Sequence, residues 1–156
     1  ILDQLGLVPA LRQFADQVAA RHGMKVEVTE SGWPPDLPAD VALALYRIAQ
    51  EALQNAAKHS RAGEARVSLR GSAEGVTLLV SDQGRGFDPA TTSSGASLGL
   101  AGMKDRLRLV EGELRVDSSE GGGTVVAARV PAWAIAGAAN GGEKGDGDDQ
   151  AEGPAR

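Results

Sequence analysis

Residues 9–22 place Leu11, Phe14 and Val18 at helical spacing, with Pro9 suited to a first turn and Gly23 to a stop. Met24, Val26 and Val28 then alternate with polar residues, which predicts a strand. A loop with three prolines, "SGWPPDLP", leads into a second helical stretch from about Pro38 to Lys58. "EARVSLRG" and "GVTLLVSD" read as a hairpin around a polar turn with Gly71 and Gly75. Residues 83–98 have no hydrophobic period and predict a mobile loop. "LAGMKDRLRLVEG" follows as an amphipathic helix carrying Met103, Leu107 and Val110, and "GELRVDSS" and "GGTVVAARVP" form a second hairpin. The order is helix, strand, long helix, two strands, loop, helix, two strands. Strands joined by tight turns pair antiparallel while the helices come singly between strand groups. The expected fold is therefore α+β, a two-layer α/β sandwich whose mixed, mostly antiparallel sheet carries its helices on one face.

Composition narrows the function classes. The 156 residues suit one domain with a single core, and a net charge of −5 leaves no electrostatic footprint for nucleic acid. With no cysteine there is no thiolate nucleophile, no thiolate metal site and no disulfide framework. No apolar run reaches membrane-spanning length, so no membrane contact and a cytoplasmic location are expected, for a parent protein that is itself membrane-anchored or not. The chain begins at Ile1, which suggests a piece of a longer protein. From Gly137 onward no core-forming residues occur, so the end is expected to be a disordered tail.

The chemistry gathers in four places. On the long helix, "YRIAQEALQNAAKHS" puts Arg47, Glu51, Gln54, Asn55 and Lys58 on one side, with His59 at its edge. Val41, Leu45, Ile48, Ala49, Ala52, Leu53 and Ala56 share the other side. Taken alone, this is equally an ordinary solvated face with i,i+4 neighbours or the wall of a cleft. In a cleft, Asn55 would offer Mg2+ a neutral oxygen and Glu51 would accept a proton or orient a nucleophile. "SDQGRGFDP" puts Asp82 at a strand end before Gly84 and Gly86. An Asx turn accounts for Asp82 and Gly84, but explains Gly86 and Phe87 poorly. Gly99 and Gly102 in "GLAGMKDRL" bracket a helix start, a place suited to phosphate. Finally, "EGGGTVV" brings Thr124 into the last strand after a glycine turn.

Together, "QEALQNAAKH", "DQGRGF", "GLAGM" and "GGGT" resemble, in order and spacing, the nucleotide-binding boxes of the histidine-kinase ATP-binding domain. That domain belongs to the superfamily of gyrase, chaperone, kinase and mismatch-repair ATPases with the Bergerat fold. The wording is most similar to NarL/DesK-type sensor kinases, in which "YRIxQEALxNxxKH" and "GLxGMxxR" recur. The resemblance covers about residues 24–131 and implies ATP and Mg2+ as ligands. It gives Asp82 the adenine amino group, supported by Thr124, and Asn55 the Mg2+ ion. Glu51 would be the general base or orient the attacking group, and Lys58 and His59 would lie near the phosphates. Gly84 and Gly86 would let the loop pass close to the nucleotide. Gly99, Leu100, Ala101 and Gly102 would meet phosphate oxygens, with Asp88 to Leu98 as the ATP lid.

The same resemblance divides the chain into residues 1–22, the end of a dimerisation region or linker helix, 23–132, the ATP-binding domain, and 133–156, the tail. The expected activity is that of a protein histidine kinase in a two-component system. It would work with the dimerisation and phosphoacceptor domain of a homodimeric parent and, through it, a response regulator. Neither His22 nor His59 matches a phosphoacceptor context, so this chain is expected to bind ATP without phosphorylating itself, and, with most of the dimerisation bundle missing from it, to be a monomer. Two other readings remain: an anti-sigma-factor-type serine kinase of the same fold, and a non-catalytic nucleotide-dependent interaction module.

Overall fold

The computed structural model describes residues 2–61, 63–88 and 99–141. In chain order its elements are α1 (Leu2–Leu5), α2 (Leu7–His22), β1 (Lys25–Ser31), α3 (Ala39–Asn55), a π-helical turn (Ala56–Ser60), β2 (Glu64–Ser72), β3 (Gly75–Asp82), α4 (Leu100–Leu109), β4 (Glu113–Ser118), β5 (Thr124–Pro131) and α5 (Ala132–Gly141). The five strands form one sheet in the order β1-β2-β3-β5-β4. β1 pairs with β2 in parallel, which requires a long crossover, and α3 supplies it. Every other pairing is antiparallel, so the sheet is mixed but mostly antiparallel.

Period two decides which side of the sheet is buried. Ala65, Val67 and Leu69 on β2, Val76, Leu78 and Val80 on β3, and Val126, Ala128 and Val130 on β5 all face the helices and are buried. Their alternates, among them Arg66, Arg70 and Arg129, face solvent. Over the inner face, α3 buries Val41, Leu45, Ile48, Ala49, Ala52 and Leu53, the apolar side expected of it. Burying each large aliphatic side chain contributes about 1.5–3 kcal/mol, which is why α3 is central to the fold. α4 adds Met103 and Leu107, both fully buried. The two-layer expectation holds.

The helix α2 is built into the core: its Leu7, Leu11 and Val18 belong to the same cluster as α3 and the sheet. The Phe14 and Tyr46 rings meet edge-to-face at 6.3 Å, and Arg12 Nη1 donates to the Val28 carbonyl at 3.1 Å. The apolar stripe of α2 is covered by α3 and β1. The tail expected from residue 133 is corrected over its first part, because residues 132–141 form α5. Ala134 of α5 is buried and Ile135 packs on the core, although Trp133 is 65% exposed. Small alanine-rich stretches carry little hydrophobic signal, yet suit a helix lying close on a sheet. The remainder of the expected tail, residues 142–156, and the expected lid apart from Asp88 lie outside the described residues.

Candidate functional site

The strand register lines up one row of inward-facing positions at one end of the sheet. Thr124 lies opposite Ser118 on β4 and opposite Asp82 on β3, and Asp82 lies opposite Ala65 on β2. Asp82 is in phase with Val76, Leu78 and Val80, and Thr124 with Val126 and Ala128, so both polar groups continue the buried face past the last apolar residues. Above this row runs the end of α3 and its continuation. The resulting pocket is lined by Ala52, Asn55, Ala56, His59, Val80, Asp82, Gly86, Phe87, Leu100, Thr124 and Val126. It has an apolar floor with polar groups at its edge.

Asp82 is half-buried, and burial raises its carboxyl pKa above the ordinary range. The Gly84 N–H, donating to Asp82 Oδ1 at 2.9 Å, offsets part of that effect by stabilising the charged form. The Asx turn and a carboxylate aimed at a pocket are therefore both realised, in one residue. Gly86 has φ +61°, and a Cβ there would strike the carbonyls of Ser119 and Gly123. Its glycine character thus serves a close approach between two loops of the protein itself. The Gly121 N–H donates to the Arg85 carbonyl at 2.6 Å and joins those loops a second time.

On the helical side, the α-helix gives way after Asn55 to the π-helical turn Ala56–Ser60. One wider turn changes the angular phase of the residues after it; Lys58 and His59 are both exposed, and of the two His59 lines the pocket. Glu51, one turn before Asn55, is not a lining residue either; it packs against Gly99, where any Cβ would collide with its carboxylate. Gly99, with φ +72°, caps α4. The first intrahelical bond runs from the Met103 N–H to the Gly99 carbonyl at 3.0 Å, so the amides of Leu100, Ala101 and Gly102 precede the helix's own ladder. Leu100 lines the pocket, while Ala101 and Gly102 are exposed beside it. The structure thus brings together Asn55, His59, Asp82, Gly86, Leu100 and Thr124 and leaves Glu51, Lys58, Gly84, Ala101 and Gly102 around them.

Ser118 is a site residue that the sequence does not single out. Its Oγ accepts from the Phe87 N–H at 2.9 Å, donates to the Gly123 carbonyl at 3.0 Å, and lies 2.8 Å from Thr124 Oγ1. The one signal for it in the chain is its inward phase with Leu114 and Val116, where a polar residue needs a reason. Among the described residues no group of three or more His, Asp or Glu side chains could cage a metal ion. A hard ion that arrives with its own oxygen ligands and waters needs few from the protein, so a neutral amide such as that of Asn55 fits Mg2+ carried by phosphates.

Known proteins share this outline. The sequence model of a family described as histidine kinase-, DNA gyrase B- and HSP90-like ATPase matches residues 40–134. The chain is 34% identical over 130 residues to the signal transduction histidine-protein kinase/phosphatase DegS of Brevibacillus brevis, covering 83% of this chain and 33% of that protein. It is 38% identical over 135 residues to DegS of Bacillus subtilis (strain 168), covering 83% and 35%. The chain therefore spans about a third of the length of these relatives. Among solved structures, the blue-light activated histidine kinase of Erythrobacter litoralis EL346 superposes with a TM-score of 0.64 at 25% identity, covering 80% of this chain and 41% of that one. The histidine kinase AdeS of Acinetobacter baumannii gives 0.61 at 16% identity, covering 79% and 61%, which is a likeness of fold.

Proposed function

The chain belongs to the histidine kinase-, DNA gyrase B- and HSP90-like ATPases, with sensor histidine kinases among its relatives, and from that premise we propose that it is the ATP-binding catalytic domain of a two-component sensor kinase. In this reading it presents the γ-phosphoryl group of ATP to a histidine of a dimerisation and phosphoacceptor domain, for later transfer to a response regulator. The observation that carries it is the convergence of Asp82, Thr124, Asn55 and the start of α4 on one pocket from four separate elements.

Adenine fits the apolar floor formed by Val80, Val126, Ala52 and Ala56, with its amino group donating to Asp82 and Thr124. The amides at the start of α4 meet phosphate oxygens, where the positive end of the helix dipole favours anions. His59 and Lys58 add positive or hydrogen-bonding groups at the same edge. Asn55 would hold Mg2+, whose charge, when bound, neutralises the phosphates. Glu51, anchored beside Gly99, orients the attacking nitrogen or takes its proton. Catalysis of this kind is mainly positioning and electrostatic stabilisation. No helix among the described residues is long and apolar enough to cross a membrane.

Titration of this chain with ATP, with and without Mg2+, beside Asp82→Ala, tests the reading. Saturable binding that Mg2+ alters and that Asp82→Ala abolishes in a folded variant is the expected result. A folded wild-type chain that shows no saturation at millimolar ATP would overturn it.

A further inference from the structure

Ser118 has one hydroxyl proton and three hydrogen-bond neighbours, which fixes the direction of every bond around it. The Gly123 carbonyl has no proton to give, so the 3.0 Å bond consumes the Ser118 proton. The Phe87 N–H can only donate, and it does so into Ser118 Oγ at 2.9 Å. The remaining contact, at 2.8 Å to Thr124 Oγ1, then requires Thr124 to be the donor. Thr124 is thereby left with lone pairs alone for the pocket it lines. Asp82, directly opposite it in the register, is when ionised also an acceptor only.

We propose that Ser118 is a positioning residue for base selection: by taking the Thr124 proton it fixes Thr124 as an acceptor, so that Thr124 and Asp82 together favour a purine with an exocyclic amino group over a 6-oxo purine. This rests on the pocket being a nucleotide site and adds to that reading a residue that itself touches no nucleotide. A base carrying an oxygen at that position meets two acceptors and no donor, and a polar group left unpaired against a site is rejected far more strongly than one that merely fits loosely. The arrangement depends on the hairpin register: β4 and β5 pair Ser118 directly with Thr124. A one-residue slip would turn Ser118 to the open face of the sheet. The same Ser118 oxygen holds the Phe87 amide, so the loop beyond β3 and the acceptor polarity of the pocket share one anchor.

The test compares ATP with inosine triphosphate by calorimetric titration on the wild-type chain, Ser118→Ala, Ser118→Thr, Thr124→Val and Ser118→Ala/Thr124→Val, with Asp82→Ala alongside. Without Ser118 the Thr124 hydroxyl is free to point its proton into the pocket, so the preference for ATP should shrink by about fivefold or more, the worth of one net hydrogen bond. Ser118→Thr keeps the hydroxyl and should restore the preference. In the Thr124→Val background, removing Ser118 should not change the ATP-to-inosine-triphosphate ratio further, because no hydroxyl is left to polarise. A merely structural role would lower both affinities by one factor in every background, and that result overturns the proposal. So does a wild-type chain that binds both nucleotides equally while Asp82→Ala still abolishes binding; this outcome removes the role of Ser118 and leaves the ATP site standing. A wild-type chain that binds neither nucleotide removes both. If Ser118→Ala does not fold, Ser118→Cys keeps the size with a weak hydrogen-bonding group, and an unchanged ratio there also overturns the proposal.

Discussion

Asp82 carries two opposed demands on one carboxylate. It ends a buried strand face, which raises its pKa, and in the proposed function it uses its charge to accept a hydrogen bond from the ligand. A carboxyl group whose folded pKa is raised binds more protons folded than unfolded. Its stabilising effect is therefore full below the ordinary carboxylate range and is lost as pH rises through the raised value. At neutral pH the charged Asp82 costs stability. Asp82→Asn keeps the oxygen that accepts from Gly84 but removes the charge. We expect it to be at least as stable as wild type at pH 7 by urea denaturation, with the difference closing as pH falls below the carboxylate range. Its ATP affinity should nonetheless be lost. A variant clearly less stable than wild type at pH 7 would show that the charge is stabilised by the fold and not strained by it. By the same logic, wild-type ATP affinity should begin to fall with decreasing pH earlier than an ordinary Asp would allow.

At the scale of elements, the start of α4 separates backbone demands from binding demands. Gly99 has φ +72° and touches Glu51 of α3, whereas a methyl group added at Gly102 would meet nothing within 4 Å. Gly99→Ala should cost about 1–2 kcal/mol in urea denaturation, from the left-handed conformation and the displaced Glu51 together. Gly102→Ala lies in the first helical turn and should be neutral or stabilising by up to about 1 kcal/mol. If the α4 amides hold phosphate, ATP titration of Gly102→Ala should still show weaker binding, since the methyl group crowds that exposed edge. Equal stability losses in the two variants would mean that neither the left-handed backbone nor Glu51 sets Gly99 apart. The π-helical turn is the other decisive element, because it carries both Lys58 and His59 and turns His59 of the two toward the pocket.

For the whole molecule, the candidate pocket and the start of α5 sit at opposite ends of the sheet. The row of Asp82 and Thr124 is seven residues along the strands from the row of Gly75 and Pro131, where α5 begins, a separation of about 23 Å at ~3.3 Å per residue. Ala134→Asp would bury a charge at 5% exposure and should lower stability by roughly 2–4 kcal/mol. Measured where the variant is still folded, its ATP affinity should equal that of wild type. A parallel loss of affinity would mean that the sheet transmits the disturbance from one end to the other.

Period-two and period-3.6 patterns are local, so "GVTLLVSD", "GGTVVAARVP" and the apolar side of α3 can be read directly, and with them the two-layer fold and the positions of Asp82, Asn55 and Thr124. Non-local features cannot. Whether the stripe of Leu7, Leu11 and Val18 covers a partner or the chain's own core depends on where α3 passes, and the helix of residues 132–141 depends on the interior strands β3 and β5 against which it packs. The placement of His59 depends on a π-helical turn, and Ser118 gains its meaning only from the register that sets it opposite Thr124. Chemical identity and side-chain alternation are properties of the chain. The direction of a hydroxyl proton, and which of two neighbouring residues enters a pocket, belong to contacts that exist only after distant segments have met.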